Sequence, residues 1–406
     1  MDYKTRSYLT AILIVCWMCP SYAQSGNSYE IGLRPDIWYN DVDGIMIGTR
    51  FEGRVAGTDE EGPHRLDAGI WLGTWFPAVP VSYQMQYTEP FSSLSEYGNE
   101  FHIRLSSSIR QGYHTHGISL KKRWERNYDF LNYTEAGVAY HFEKRFDDEY
   151  TLFPQLWGSE WKGLVKPEIN VQRVGTRNRS NLSLNPEFNT LDPFFYSLSA
   201  SLSHELYLGE DWAIRLRLFS ATVSEDTPPE YLLFLSSGAE VTTLDGSLTR
   251  AKGTVPVRWA KSGNIHFASG PNLRGYTKMD IRSIRNEAPL QFTEVASINT
   301  EFSFPNPIQT GLRNIEELSD FLSFRSYLFF DGAAVGTSAL SSESVNNDYY
   351  ANAGIGLAFA LNIPDYLGKP RGFVIRYEVP FWLSDAFDGS NFKYRHLIGI
   401  GATVMF

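Results

Sequence analysis

The sequence predicts an all-β protein: a transmembrane, antiparallel, up-and-down β-barrel of about sixteen strands. Three observations predict it. Apolar and polar residues alternate with period two in segment after segment, as on a strand whose two faces meet different surroundings. These segments run to roughly 10–14 residues, where the strands of a soluble sandwich have about 5–6. Beyond the N-terminus, no window approaches the apolar run of a membrane helix. Composition agrees: 27 Phe, 23 Tyr and 33 Gly in 406 residues favour strands. The formal net charge of −10 argues against nucleic acid as a partner.

The first element reads as an export signal. Lys4 and Arg6 precede the apolar core Tyr8–Met18, and Ser21 and Ala23 are the small residues of a cleavage site. Residues 1–23 are therefore expected to be removed after Ala23, and residues 24–406 to form one barrel domain. Both cysteines, Cys16 and Cys19, fall in the removed segment, so the mature chain is expected to hold no disulfide. Gln24 is followed closely by the first candidate strand, YEIGLRPDIW (Tyr29–Trp38).

Further along, RLDAGIWLGTWF sets Leu66, Ala68, Ile70, Leu72 and Phe76 against Asp67, Gly69, Trp71, Gly73 and Trp75. Phe146–Gly163 fits no strand pattern clearly. FFYSLSASLSHEL puts Tyr196, Leu198, Ala200, Leu202 and Leu206 on one face, and Ser197, Ser199, Ser201, Ser203 and Glu205 on the other. WAIRLRLF alternates Ile214, Leu216 and Leu218 with Arg215 and Arg217. In GFVIRYEVPF, Arg376 and Glu378 alternate with Ile375, Tyr377 and Val379. The last segment, RHLIGIGATVMF, ends on Phe406 as if a strand stopped at a membrane interface, and Gly399 and Gly401 weaken its pairing.

Turning an arginine toward lipid costs about 2–4 kcal/mol at the midplane. Arg215, Arg217, Arg325 and Arg376 are therefore assigned to the lumen, with Glu205, Glu301, Asp331 and Glu378. A soluble sandwich or barrel is the alternative, with the apolar face inside. Removing 23 residues from 406 leaves 383. Setting aside roughly 60 for one long loop, and allowing about 20 per strand and turn, gives about sixteen strands.

That long loop carries ASGPNLRGYTKMD (Ala268–Asp280), and a loop of this length inside a compact domain normally has a function. Its LRGY (Leu273–Tyr276) resembles the Arg-Gly-Phe/Tyr signature in the sixth extracellular loop of the BamA/TamA-type bacterial surface antigen barrels. It falls between the expected eleventh strand (Trp212–Val223) and twelfth (about Pro289–Phe304). LFFDGAAVG (Leu328–Gly336) resembles the family's Phe-x-Asp-x-Gly strand, with Ala333 where that motif usually has Gly. INTEFSFP (Ile298–Pro305) resembles the strand before it, and YNDVDGIMIG (Tyr39–Gly48) the second strand of related barrels. The periplasmic transport-associated repeats of the family are not found in the sequence.

The resemblance implies a loop folded into the lumen, with its arginine docked on the strand aspartate. Alternation places Asp331 and Glu301 inward, so Arg274 can meet Asp331, with Glu301 as a second candidate. Gly275 would allow close backbone approach, and Tyr276 would pack on luminal aromatics. The implied function is assembly or translocation of proteins at the outer membrane. The protein would sit in outer-membrane lipid and act with a separate periplasmic partner or client, using the seam between first and last strands. The rival expectations are a passive or gated pore and a membrane anchor for a periplasmic enzyme.

Enzymatic and cofactor signals are weak, and no catalytic residue, metal or cofactor is assigned. HELYL (His204–Leu208) lacks the second histidine of a zinc protease and lies on a strand. His114 and His116 share a strand face and read as a solvated strand end. GPNLRG (Gly270–Gly275) lacks the Gly-Lys-Ser/Thr of a phosphate loop. Ser203 and His204 are adjacent on a strand and face opposite sides, so one cannot activate the other. An outer-membrane phospholipase or palmitoyl transferase would need a Ser or His at the lipid boundary, which the sequence does not identify.

Overall fold

The computed structural model describes residues 29–56, 62–96, 98–126, 129–151, 153–237, 257–277, 291–315, 321–336, 349–364, 370–386 and 389–402. The expected signal segment and Phe406 lie outside them. Seventeen strands form one sheet. In order they are β1 (Tyr29–Asn40), β2 (Gly44–Val55), β3 (Arg65–Gly73), β4 (Val81–Pro90), β5 (Phe101–Arg110), β6 (Tyr113–Arg126), β7 (Asp129–Arg145), β8 (Lys162–Val174) and β9 (Asn178–Asn189). There follow β10 (Phe195–Tyr207), β11 (Ala213–Val223), β12 (Ile265–His266), β13 (Glu294–Phe304), β14 (Leu322–Val335), β15 (Tyr349–Pro364), β16 (Pro370–Leu383) and β17 (Leu397–Ala402).

Sixteen of these build the wall, and the seventeenth, β12, is a two-residue piece of the long loop. Each wall strand pairs antiparallel with the next, and β11 passes over the loop to β13. This is an up-and-down transmembrane barrel with the strand number expected. Two boundaries move: the eleventh wall strand starts at Ala213, and the twelfth at Glu294. The unassigned stretch after Phe146 is mostly a connection, with β8 beginning at Lys162.

One expectation fails. A barrel in lipid should close on itself, yet β1 and β17 share no ladder among the described residues. The seam edge of β17 is taken instead by β12, in parallel, with Ile265 opposite Ile398 and His266 opposite Gly399.

Alternation set the two faces as the sequence requires. Ile37, Ile47, Ile70, Leu105, Leu218, Leu328 and Ile355 point out and are exposed. An apolar exterior of this kind is stable only against hydrocarbon. Tyr39, Trp75 and Trp161 sit outward at one rim, and Trp124 and Trp212 at the other, like the aromatic girdles of membrane barrels. The end bearing the connection 224–293 is called upper here. The lower end carries α1 (Pro307–Arg313), whose first turn is capped by Asn306 accepting from the Ile308 amide.

The buried core lies inside the upper half of the wall. One cluster joins Leu233, Leu235, Leu273, Tyr276 and Phe292 of the loop to Ala221, Val295, Tyr350 and Leu383 of the wall. A second joins Phe153 and Trp157 from the 146–161 connection to Phe234. Lys162 at the top of β8 pairs at 2.8 Å with Glu230, which is fully buried. The upper lumen is therefore filled by loops packed against wall side chains.

Candidate functional site

Arg274 lies in a short 3-10 turn (Arg274–Tyr276) deep in the lumen, and no part of it reaches solvent. The loop enters this position through backbone and side-chain bonds. Leu273 donates its amide to the Leu235 carbonyl at 2.9 Å. Asn299 and Ser297 of β13 bond the Pro271 carbonyl, and Arg217 of β11 donates to the Gly270 carbonyl at 2.7 Å. Two wall strands and the loop itself thus hold the turn before its arginine is considered.

The guanidinium then meets three carboxylates. Nε and Nη2 donate to the two oxygens of Asp331 at 2.9 and 2.7 Å, a bidentate pair. Nη1 donates to Glu301 at 2.7 Å and to Glu378 at 3.0 Å. The Arg274 amide also donates to Asp331 at 3.2 Å. Phe329 closes the flat face, with its ring centre 3.9 Å away, a cation–π contact.

Asp331 accepts further bonds from Asn299 at 3.1 Å and Asn352 at 2.8 Å. Glu301 also takes Arg325 at 2.8 Å, and Glu378 takes the Tyr327 hydroxyl at 2.7 Å. Arg376 lies 3.9 Å from Glu378. Arg274, Arg325 and Arg376 therefore face three carboxylates, with the buried Arg217 beside them on Asn299. Burial works against the Arg274 charge, but Asp331, Glu378 and Glu301 outweigh it and raise its pKa above the ordinary value.

Gly275 and Tyr276 complete the fit. A Cβ on Gly275 would lie 2.9 Å from Asn352 Cβ and 3.0 Å from Leu383 Cδ1, so the turn presses against β15 and β16 with no room for a side chain. The Tyr276 hydroxyl donates to the Ala351 carbonyl at 3.0 Å, and its ring stands edge-on to Tyr350.

The residues assigned to the lumen all point inward, but they do not all line water. Arg217, Arg376, Glu301 and Glu378 are buried beneath the loop; only Arg215, Arg325 and Glu205 keep partial exposure. Arg215 pairs with Glu205 and donates to Ser303 at 2.7 Å. Nothing in the sequence signals that Glu378, 104 positions from Arg274, closes the cluster. Nor does it signal Asn352 or His266. Face alternation says which residues point in, not which share a level. Of the hydrolase-type pair, Ser203 faces inward opposite Arg217, and His204 faces outward to Ser180 at 2.8 Å.

The loop also reaches the seam. The Ile398 amide donates to the Asn264 carbonyl at 2.6 Å. His266 Nε2 is 3.1 Å from the Ser236 carbonyl, and its Nδ1 lies 3.8 Å from Glu378, too long for a hydrogen bond. Burial pushes the imidazole from 6.5 down to about 4, against the pull of Glu378 and helped by Arg376 and Arg274. The docked loop thus holds His266 neutral. An undocked loop takes up a proton as pH falls below about 6.5, so docking weakens from there down to about 4. The loss approaches roughly 3 kcal/mol at the low end. Protease cleavage of the loop should rise across that range, and His266→Gln should remove most of the rise.

No family model matches this chain, and no curated protein sequence matches it. Among solved structures, the chain resembles the crystal structure of BamA from Haemophilus ducreyi lacking POTRA domains 1–3. The TM-score is 0.50 at 14% identity, covering 93% of this chain and 71% of that one. It also matches OccK11 (OpdR) from Pseudomonas aeruginosa at 11% identity and a TM-score of 0.30, covering 91% of each chain. At these identities the likeness concerns the fold, that of an outer-membrane β-barrel.

Proposed function

We propose that the chain is an outer-membrane barrel that assists the insertion or translocation of other proteins, acting with a separate periplasmic partner. The upper end then faces the cell exterior and the 305–321 connection faces the periplasm. The observation that carries this reading is the pairing of two features. A luminal loop is clamped by Arg274 to β13, β14 and β16, and the same loop occupies the edge of the last strand through Ile265 and His266. A clamped plug keeps solutes out, while a seam strand covered there by only a two-residue parallel pairing leaves an edge that an extended client segment can pair with. Neither feature serves a simple sieve.

Purification from the native membrane in mild detergent tests the reading. A stoichiometric periplasmic protein, or an unfolded outer-membrane client, should co-purify. Isolation of the barrel alone, with clients inserting at the normal rate in a strain lacking it, would remove the proposal.

A pore is the second reading, favoured by the wetted ion pairs low on the wall, such as Arg50–Asp67 at 2.7 Å and Lys121–Glu168 at 2.7 Å. Planar bilayers separate the two. With the loop docked, conductance should be small and should rise in Arg274→Ala. Large, steady conductance while the loop stays protected from protease would favour the pore.

A further inference from the structure

The outward face of the wall is apolar over most of β4–β8, with Met85, Leu105, Ile118, Leu120, Val138 and Phe142 exposed. At the upper rim the character changes. His114 and His116 of β6 and Lys144 of β7 share the outward face, with His114 directly opposite Lys144 in the ladder. The indole of Trp161, just before β8, stands among them. Its centre is 5.9 Å from His114, 6.3 Å from His116 and 5.9 Å from the Lys144 ammonium. His116 is oriented by a surface relay: its Nδ1 meets Ser107 Oγ at 2.9 Å, and Ser107 meets the Tyr83 hydroxyl at 3.0 Å. That leaves Nε2 of His116 with no hydrogen-bond partner among the described residues.

Neither Lys144 nor His114 has a hydrogen-bond or ion-pair partner among the described residues. An unpaired lysine is tolerated on the outside of a membrane barrel only near the headgroup layer. An interfacial tryptophan marks that same level. The geometry points to a site here for the phosphate of a lipid headgroup: we propose that Lys144, His114 and His116 bind it, with Trp161 holding the ammonium at the rim. A phosphorylated lipid fits better than free phosphate because an apolar strip lies directly beneath. Phe142 stands opposite His116, and Val138 opposite Leu120, which gives acyl chains a surface to pack on. The proposal rests on the membrane-spanning wall and is independent of any role in protein assembly.

The test uses the full chain in maltoside micelles, titrated with dioleoyl phosphatidic acid, dioleoylglycerol or inorganic phosphate, and read by Trp fluorescence and native mass spectrometry. Phosphatidic acid should bind more tightly than dioleoylglycerol. Lys144→Ala should weaken it about fivefold, the factor matching about 1 kcal/mol per basic residue at a membrane surface. Lys144→Arg should keep the affinity. The His114→Ala/His116→Ala/Lys144→Ala variant should lose the preference for phosphate while its heat-induced gel shift stays normal. Equal binding of the two lipids by the wild type, or an unchanged preference in the triple variant, overturns the proposal. Inorganic phosphate binding as tightly as phosphatidic acid overturns the lipid assignment.

Discussion

Arg274→Ala should free the loop from the wall, with a loss of about 3–5 kcal/mol in docking. The size follows from what stays behind. Asp331, Glu301 and Glu378 are each at most 2% exposed, and without Arg274 none of the remaining arginines, Arg217, Arg325 and Arg376, bonds Asp331. Arg376 is 3.9 Å from its carboxylate, so it cannot replace the lost bidentate pair. Removing one partner of a buried ionic group costs far more than the group contributes when intact, because the remaining charges lose their compensation. The wall ladders do not involve Arg274, so the barrel itself should persist. Protease should then cut the loop in folded barrels, and the temperature of the heat-induced gel shift should fall. Lysine at 274 should recover little. A single ammonium cannot donate along the two parallel lines that Asp331 accepts while also reaching Glu301 and Glu378.

Gly275→Val should have the next largest effect, for a reason unrelated to charge. The turn is pressed against Asn352 Cβ at 2.9 Å and Leu383 Cδ1 at 3.0 Å from where a Cβ would sit. Both contacts belong to buried wall residues. Adding a branched side chain moves the turn away from β15 and β16, which lengthens all the Arg274 contacts together. Overpacking of this kind costs about 1–3 kcal/mol, and misaligned charge pairs add to it. Loop cleavage should be intermediate between wild type and Arg274→Ala. Gly275→Ala should be milder than the valine, since it adds one methyl, but the clash with Asn352 Cβ should still raise cleavage above wild type. If Gly275→Val is cut no faster than wild type, the close approach of the turn is wrong.

Much of this was legible in the sequence, because a strand has a single, simple period. Leu328 and Phe330 fit lipid, so Asp331 had to face inward, and the same logic turned Glu301 inward. The match of the LRGY arginine to the strand aspartate came from the family resemblance, and alternation agreed with it. What alternation cannot supply is height. Glu378 and Arg274 meet because the stagger of β16 against β14 brings them level, and that stagger depends on turn lengths and strand tilt. The seam was hidden for a different reason. Two residues, Ile265 and His266, are too few to carry a period, and nothing local marks them as partners of Ile398 and Gly399. The outward His114 and His116 read as a solvated strand end; Trp161, which joins them in space, lies in the stretch where the pattern gave no strand.

The central claim is that Arg274 and Asp331 act as one unit joining the loop to the wall. A double-mutant cycle on the gel-shift midpoint measures this directly, using Arg274→Ala, Asp331→Ala and the pair together. If the two side chains form one unit, the double variant should lose no more than the worse single variant, a coupling of about 2–3 kcal/mol. Losses that simply add, or an Asp331→Ala barrel indistinguishable from wild type, would contradict the account.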